Sequence, residues 1–220
     1  MWHEAAEGMA WIWAHRVILQ LALMLGLMNA LGLLAVTILV LYLQEVLGLG
    51  VTQHGLLMIA GGAGGVLGGL CCPRLAVMLG RRRALHYALL VMVISHALLA
   101  LAPSVPVVAL ALFLEMFAGL LWNVVAVSYR QRFIPDALLG RVNSIYRFFG
   151  WGLLPFGALA AGAIVALAEP EIGRMLALKM PFVVAAIGSF AMFVYGLFWL
   201  KIDQNVSGVA GAMLIAVDFY

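Results

Sequence analysis

The chain has 220 residues, of which 66% are hydrophobic and only 10% are charged, and its formal net charge is +3. A soluble domain is about half apolar and a quarter charged, so a soluble fold of this length could not bury so much apolar surface. The composition therefore predicts a membrane protein. Its basic residues cluster in connectors, which indicates topology and argues against a nucleic-acid partner.

The first 16 residues form a polar segment with three tryptophans, Trp2, Trp11 and Trp13. An indole can bury its ring in the membrane interface while its N–H stays hydrated. Residues 1–16 are therefore predicted to be an interfacial amphipathic helix that lies on the bilayer surface. Glu4 and Glu7 are atypical of a signal peptide.

Six apolar runs follow, and each is predicted to be a transmembrane helix, so the expected fold is an all-α membrane protein with one six-helix bundle. The runs cover residues 17–43, 54–72, 84–102, 107–129, 142–168 and 181–200. Residues 201–220 contain too short an apolar run to span a bilayer and are predicted to be a cytoplasmic tail.

Small residues mark the packing faces of the first two runs. Gly26, Asn29 and Gly32 share one face of the first helix, and this face is predicted to pack against another helix. Asn29 either forms an interhelical hydrogen bond or lines a substrate cavity. In the second run, Gly61, Gly65 and Gly69 recur at steps of four, with Gly64 and Gly68 beside them, which predicts close approach of two backbones.

Two ionisable residues lie inside the third and fourth runs. His96 is interpreted as a hydrogen-bonding group, with a proton-carrying role as the alternative. Glu115 is the one acidic residue in the middle of a predicted span. The helical spacing of Glu115, Gly119 and Trp122, with Asn123 adjoining, predicts that they form one face.

Two interpretations of Glu115 remain open. A charged side chain is costly in a bilayer and tends to face a cavity or a partner. In the first interpretation, Glu115 belongs with Asn123, Trp122 and Asn29 to a pathway for a proton or a cationic substrate. In the second, a protonated Glu115 forms a hydrogen bond to a neighbouring helix.

Arginines dominate two connectors, residues 73–83 and 130–141. Ten of the twelve basic residues lie in the first segment, these connectors, the start of the fifth helix and the tail, whereas the opposite loops hold only Arg174 and Lys179. The positive-inside rule then predicts that both termini are cytoplasmic. The arginines either set topology and attract lipid head groups or form a cytoplasmic gate. The candidate gate residues are Arg81, Arg82, Arg83, Arg130, Arg132, Asp136 and Arg141.

The fifth run is interrupted by glycines and a proline. Proline removes a backbone hydrogen bond, so this helix is predicted to kink between residues 151 and 155. Gly152, Pro155 and Gly157 are interpreted as close-packing positions, with a hinge as the alternative.

These motifs resemble a known transporter family. The sequence Gly80-Arg81-Arg82-Arg83 is similar to the second-half copy of the short basic loop motif of the major facilitator superfamily. The stretch RQRFIPDALLGRVNSIYR, followed by WGLLPFGALAAG, resembles the loop and next helix of the bacterial exporter branch that includes the enterobactin exporter and macrolide-efflux proteins. The opening EGMAWIWAHR is similar to the end of that branch's central loop. Residues 7–200 thus resemble the C-terminal six-helix half of such a transporter.

The resemblance implies a twelve-helix antiporter of the cell membrane, built from two six-helix bundles with the substrate between them. It implies proton-coupled export of a lipophilic drug, macrolide or siderophore, and it favours the gate interpretation of the arginines. The expected partners are the lipid bilayer, a small lipophilic substrate, and an N-terminal six-helix half or a second copy of the chain.

Two other classes of function are alternatives to transport. The chain could be a transport-inactive membrane fragment or scaffold that needs a missing N-terminal half. An enzyme is disfavoured because the sequence places no paired acids, metal ligands or nucleophile–base set at membrane depth. No cofactor and no metal are expected.

Overall fold

The computed structural model describes residues 2–102, 104–200 and 202, and the regular elements in these residues are α-helices. They are α1 (Trp2–Ala14), α2 (Arg16–Glu45), α3 (Val51–Leu79), α4 (Arg81–Leu101), α5 (Val105–Phe133), α6 (Asp136–Gly152), α7 (Leu154–Ile172), α8 (Arg174–Ala177) and α9 (Met180–Trp199). The predicted tail, 201–220, lies outside the described residues apart from Ile202.

Six helical segments of the described chain are long and apolar enough to cross a membrane. Helices α2, α3, α4 and α5 provide four of them, α6 with α7 provides the fifth, and α8 with α9 provides the sixth. The prediction of an all-α, six-helix membrane protein is confirmed, and the chain is a multi-pass membrane protein.

The helices extend further than the sequence predicts. Pro73 lies inside α3, and Gly80 alone separates α3 from α4, so residues 73–83 are not a connector. A proline removes one hydrogen bond, but a helix in lipid keeps all its other backbone groups satisfied by continuing. Gly80 ends α3 because its φ of 75° is a conformation that glycine adopts without strain.

Two other predicted loops are mostly helical. Helix α5 continues to Phe133 and α6 begins at Asp136, so the 130–141 connector shrinks to two residues and the fifth helix starts before residue 142. The polar loop predicted over 169–180 is occupied by the end of α7, by α8 and by the first turn of α9. Charged residues are compatible with a helix that projects beyond the bilayer. The polarity of these segments therefore does not show where the helices end.

The fifth span is interrupted within the expected region. Helix α6 ends at Gly152 and α7 begins at Leu154, with Leu153 between them. Pro155 has no N–H to donate to the carbonyl of Trp151, which accounts for the loss of regular helix here.

Helix α1 packs against the first turns of α6. A Cβ on Gly8 would lie 2.8 Å from Ile145 Cδ1, and Ile12 is fully buried. Arg141 in α6 donates a hydrogen bond to the Glu7 carboxylate at 2.5 Å. The segment predicted to be interfacial is therefore docked on the bundle, and its position on the bilayer surface stays a prediction.

Arg174 joins three helices at the other end of the bundle. Its Nε and Nη2 each donate a 2.9 Å hydrogen bond to the carboxylate of Glu45, at the end of α2. Its Nη1 donates to Glu169 in α7 at 2.9 Å. The bidentate geometry fixes the relative positions of these helix ends.

The first three spans and the last three spans make equivalent contacts. Helix α3 packs on α5, and the equivalent pair α6 and α7 packs on α2. Helix α4 packs on α5, and the equivalent helix α9 packs on α2. The α4–α9 and α2–α5 contacts each join a helix to its own equivalent in the other unit. Consecutive spans run in opposite directions, so the two three-helix units have inverted topology, an architecture found in many transporters.

Glycines make the closest contacts in the two equivalent interfaces. A Cβ on Gly64 of α3 would lie 2.2 Å from the carbonyl oxygen of Phe113 in α5. A Cβ on Gly157 of α7 would lie 2.2 Å from the carbonyl oxygen of Ala30 in α2. The exchange of units maps one contact onto the other, so glycine is required at the same place in both repeats.

The glycine faces differ in detail from the prediction. In α3 the residues that face α5 are Gly61, Gly64 and Gly68, whereas a Cβ on Gly69 would meet open space and one on Gly65 would make only an ordinary contact. Steps of three and four follow the helical period of 3.6 more closely than repeated steps of four.

The packing interpretation of the fifth span applies to one of its three residues. Gly157 is buried against α2, whereas Gly152 has open space around it and Pro155 is exposed. A hinge at Gly152 and Pro155 stays a prediction.

We predict that Gly64→Ala and Gly157→Ala each lower the free energy of unfolding by about 1–3 kcal/mol, because the new methyl group would force two backbones apart. The measurement is thermal unfolding of the purified protein in detergent. Gly62→Ala and Gly162→Ala are matched controls, because both positions lie in the same helices with open space around them. Equal melting temperatures for all four variants would contradict the close contacts.

Candidate functional site

A cavity of about 390 Å³ lies between α2 and α5. Asn29, Glu115 and Asn123 provide its polar lining, and the remaining walls are apolar side chains and glycine. Val36 and Met116 line the same cavity and are exposed, so it is open on one side. An apolar wall with a few convergent polar groups is typical of small-molecule sites.

Glu115 reaches from this cavity into the bundle. Its Oε1 lies 3.6 Å from His96 Nε2 in α4, and its side chain is 21% exposed whereas that of His96 is 1% exposed. A Cβ on Gly32 of α2 would lie 3.4 Å from Glu115 Oε1, so the absence of a side chain at Gly32 leaves room for the carboxylate. Glu115 thus connects the cavity to a fully buried imidazole.

His96 extends the polar cluster to α9. Its Nδ1 and the hydroxyl of Ser189 are 2.8 Å apart, and both side chains are fully buried. Neither His96 Nε2 nor Glu115 Oε2 has a hydrogen-bond partner among the described residues.

The cluster lies at the centre of the inverted repeat. One sequence shift relates Ala30 to Phe113 and Gly32 to Glu115, and a second relates Gly64 to Gly157 and His96 to Ser189. The Gly32–Glu115 and His96–Ser189 contacts each join a residue to its own equivalent, as residues that flank a twofold axis do.

The helix lengths also place the cluster near the middle of the bundle. About four helical turns, or about 20 Å, separate Glu115 from Arg130 along α5, and a similar distance separates Gly32 from Glu45 along α2. Since Arg130 and Glu45 lie at opposite ends of the bundle, Glu115 is close to the midplane of any bilayer that the bundle spans.

The cluster brings a carboxyl group and an imidazole together inside an apolar bundle. Ionisable groups at membrane depth are costly and tend to face a cavity or a partner, as Glu115 and His96 do.

Asn29 satisfies both interpretations that the sequence allowed. Its Nδ2 donates a 2.8 Å hydrogen bond to the carbonyl oxygen of Gly150, across the α2–α6 interface, and the residue also lines the cavity. It therefore holds α6 against α2 beside the site.

Trp122 does not belong to the predicted pathway. It is fully buried in the core, away from the cavity lining, whereas Gly119 and Asn123 share the cavity face with Glu115. On a helix with 100° per residue, Gly119 and Asn123 turn to one side of Glu115 and Trp122 turns to the other. Spacing alone does not indicate which side faces the cavity.

A second, polar cavity of about 720 Å³ begins at Asn123, which lines both. It lies between α5 and α6, and sequence reasoning missed it because its lining comes from α2, α5 and α6 and is assembled only when these helices pack together. Its lining residues are Leu25, Asn123, Val127, Arg130, Gly140, Asn143, Ser144, Tyr146, Arg147 and Trp151.

The first group of candidate gate arginines lies at the start of α4. Arg81 is half-buried, its guanidinium carbon is 5.9 Å from the centroid of the Tyr129 ring, and its Nη1 has no hydrogen-bond partner among the described residues. Arg82 and Arg83 are exposed. Three cations in the first turn oppose the helix dipole, so this turn favours an acidic partner.

The second group is dispersed. Arg132 is exposed at the end of α5, and Arg141 forms the ion pair with Glu7. Asp136 lies in the first turn of α6, where a carboxylate interacts favourably with the helix N-terminus. A cytoplasmic gate made by these residues stays a prediction, and Arg130 faces the polar cavity instead.

Comparison with protein-family models and with curated proteins finds no match. The resemblance to a transporter half therefore rests on the sequence motifs.

We predict that the joined cavities admit water. In a Cys71→Ser, Cys72→Ser background, Asn123→Cys should react with a membrane-impermeant maleimide, because Asn123 is exposed and lines both cavities. Ala126→Cys, nearly one turn further along α5 but only 1% exposed, is the matched control and should stay unlabelled. Equal labelling of the two positions would contradict the open cavity.

Proposed function

We propose that the chain moves a lipophilic small molecule across the cell membrane in a proton-coupled cycle, as the C-terminal half of a permease of the major facilitator type. The observation that carries the proposal is the Glu115–His96–Ser189 cluster, which lies on a cavity at the centre of an inverted repeat. Transporters built from inverted repeats hold substrates and coupling ions near the midplane, at the repeat interface.

The proposed coupling uses the two charge states of the cluster. Protonation of Glu115 neutralises the cavity wall and favours an apolar occupant, whereas deprotonation leaves a negative charge that favours water. Protonation of Glu115 and binding of a lipophilic substrate are therefore linked at the same wall. Glu115 is then the residue that takes part in both substrate binding and proton binding.

The open side of the cavity supports the need for a partner bundle. Exposed apolar residues such as Val36 and Met116 stand at its edge. An N-terminal six-helix half, or a second copy of the chain, would close the cavity. The arginine distribution supports cytoplasmic termini, and with that orientation the polar cavity lies towards the cytoplasmic side. Export is proposed from the resemblance to the exporter branch.

We predict that Glu115→Gln abolishes proton-driven transport, because an amide cannot exchange the proton. The measurement is the efflux of ethidium, of a macrolide and of 1-pyrenebutyrate in cells that express the full chain, together with substrate-dependent proton movement across everted membrane vesicles. His96→Gln should reduce this proton movement at an unchanged amount of inserted protein. Glu171→Gln, an exposed carboxylate at the end of α7, is the matched control and should transport normally.

Two results would overturn the proposal. If Glu115→Gln transports as well as the unsubstituted chain, the cluster does not couple protons to transport. If the unsubstituted, correctly inserted chain gives no more transport than empty vesicles, whether alone or coexpressed with a six-helix N-terminal half, the chain is a transport-inactive scaffold.

A further inference from the structure

Among the described residues, the lining of the polar cavity between α5 and α6 contains two arginines and no acidic residue. Arg130 and Arg147 line it, together with the neutral polar side chains of Asn123, Asn143 and Ser144. Neither guanidinium lies within 4 Å of a carboxylate among the side chains that the structure describes. The cavity therefore carries about two uncompensated positive charges.

Arg130 is held in position by neutral groups. Its guanidinium carbon lies 3.6 Å from the centroid of the Tyr146 ring, and Tyr146 is nearly fully buried. Its Nη1 donates a 2.9 Å hydrogen bond to Asn143 Oδ1, and Nε makes a longer contact of 3.4 Å to the Ala126 carbonyl oxygen. These contacts orient the guanidinium without neutralising it.

Tyr146 is fixed in turn. Its hydroxyl donates a 3.2 Å hydrogen bond to the carbonyl oxygen of Leu21 in α2. The ring beneath Arg130 is therefore attached to two helices, α6 through its backbone and α2 through its hydroxyl. Such support indicates a preorganised cation rather than a surface arginine that extends into water.

Arg147 stands at the more exposed edge of the same cavity. Its guanidinium carbon is 5.9 Å from the centroid of the Trp151 ring, one turn further along α6. Positive-inside topology explains why arginines occur at this end of the bundle, but it requires neither that two of them line one cavity nor that they lack acidic partners. A partly desolvated cation without a counter-ion makes a favourable site for an anion.

We propose that this cavity binds an organic anion through Arg130 and Arg147, and that the transported substrate is an amphipathic anion such as a carboxylate, sulfonate or phosphate ester. The two cavities meet at Asn123, so an anionic head at the arginines leaves an apolar body directed towards the cavity beside Glu115. The substrate assignment rests on the proposed transport function, whereas anion binding by the cavity does not.

The positions of the charges along the two cavities explain how an anionic substrate would be linked to proton binding. An anion at Arg130 is about four turns, or about 20 Å, from Glu115 along α5, so the two negative charges scarcely repel each other when the head group is at the arginines. An anion that moved deeper would approach Glu115, and protonation of Glu115 would remove that repulsion. Substrate charge and proton binding would then be linked directly.

The test is a binding measurement with two probes that differ only in charge. 1-Pyrenebutyrate and its neutral amide are titrated into the purified full chain in zwitterionic lipid nanodiscs, with pyrene fluorescence as the readout. We expect the acid to bind more tightly than the amide. Arg147→Gln, and separately Arg130→Gln, should raise the dissociation constant of the acid about tenfold, as expected for loss of one charge-assisted contact, with the amide unchanged.

Arg16→Gln is the matched control, because Arg16 is exposed at the start of α2 and lines neither cavity. It should leave both dissociation constants unchanged. Arg147 is exposed, so its variant keeps the test decisive if Arg130→Gln fails to fold. Equal affinities for acid and amide, or an unchanged acid affinity in Arg147→Gln, would overturn the anion site.

A lipid head group is the other source of the same anion, and the lipid composition distinguishes the two. In phosphatidylglycerol nanodiscs, a lipid occupant would weaken binding of the acid to the unsubstituted chain but not its residual binding to Arg147→Gln. That result keeps the anion site and overturns the substrate assignment. Unchanged binding in both lipids supports a soluble amphipathic anion.

The binding assay and the transport assay test the two proposals separately. Acid-selective binding without proton-driven efflux would overturn the proposed function and keep the anion site. Proton-driven efflux that requires Glu115, without acid-selective binding, would keep the proposed function and overturn the substrate class.

Discussion

A polar group that leaves water for lipid must find its partner within the protein, and this constraint organises the interior of the bundle. The buried hydroxyl of Ser95 donates to the Ala111 carbonyl oxygen, and Asn29 donates to that of Gly150. Such pairs join different helices and satisfy the hydrogen-bonding groups of the polar side chains involved. Five buried side-chain atoms of the described residues have no hydrogen-bond partner, and two of them, His96 Nε2 and Glu115 Oε2, lie where the two repeats meet.

The same inverted packing produces both the rigid and the reactive parts of the molecule. Close glycine–carbonyl contacts at Gly64 and Gly157 bring α3 against α5 and α7 against α2. This packing leaves α2 and α5 in light contact with each other, and the cavity forms between them. A side chain at Gly32 would fill the space beside Glu115, so a small residue serves access here and packing elsewhere.

The number and apolar character of the spans follow from sequence because lipid imposes length and composition directly. Asn29, Glu115 and Asn123 could be identified for the same reason, since polar residues at membrane depth are few. Trp122 and the ends of the helices could not, because spacing defines a face but not its orientation, and charged residues do not end a helix. His96 and Ser189 come from distant spans, and the arginine cavity arises only when α5 and α6 fold together.

The break at Leu153 divides the fifth span into two pieces with different attachments. Helix α6 is held by α1 through Gly8 and the Glu7–Arg141 pair, whereas the far end of α7 is held by Arg174. Once the hydrogen bonds from α6 to α2 at Gly150 and Tyr146 are released, a change of angle at Leu153 would therefore carry α1 along with α6 and leave α7 in place. Helix α1 would act as a lever arm that converts bending at mid-membrane depth into a displacement at the surface.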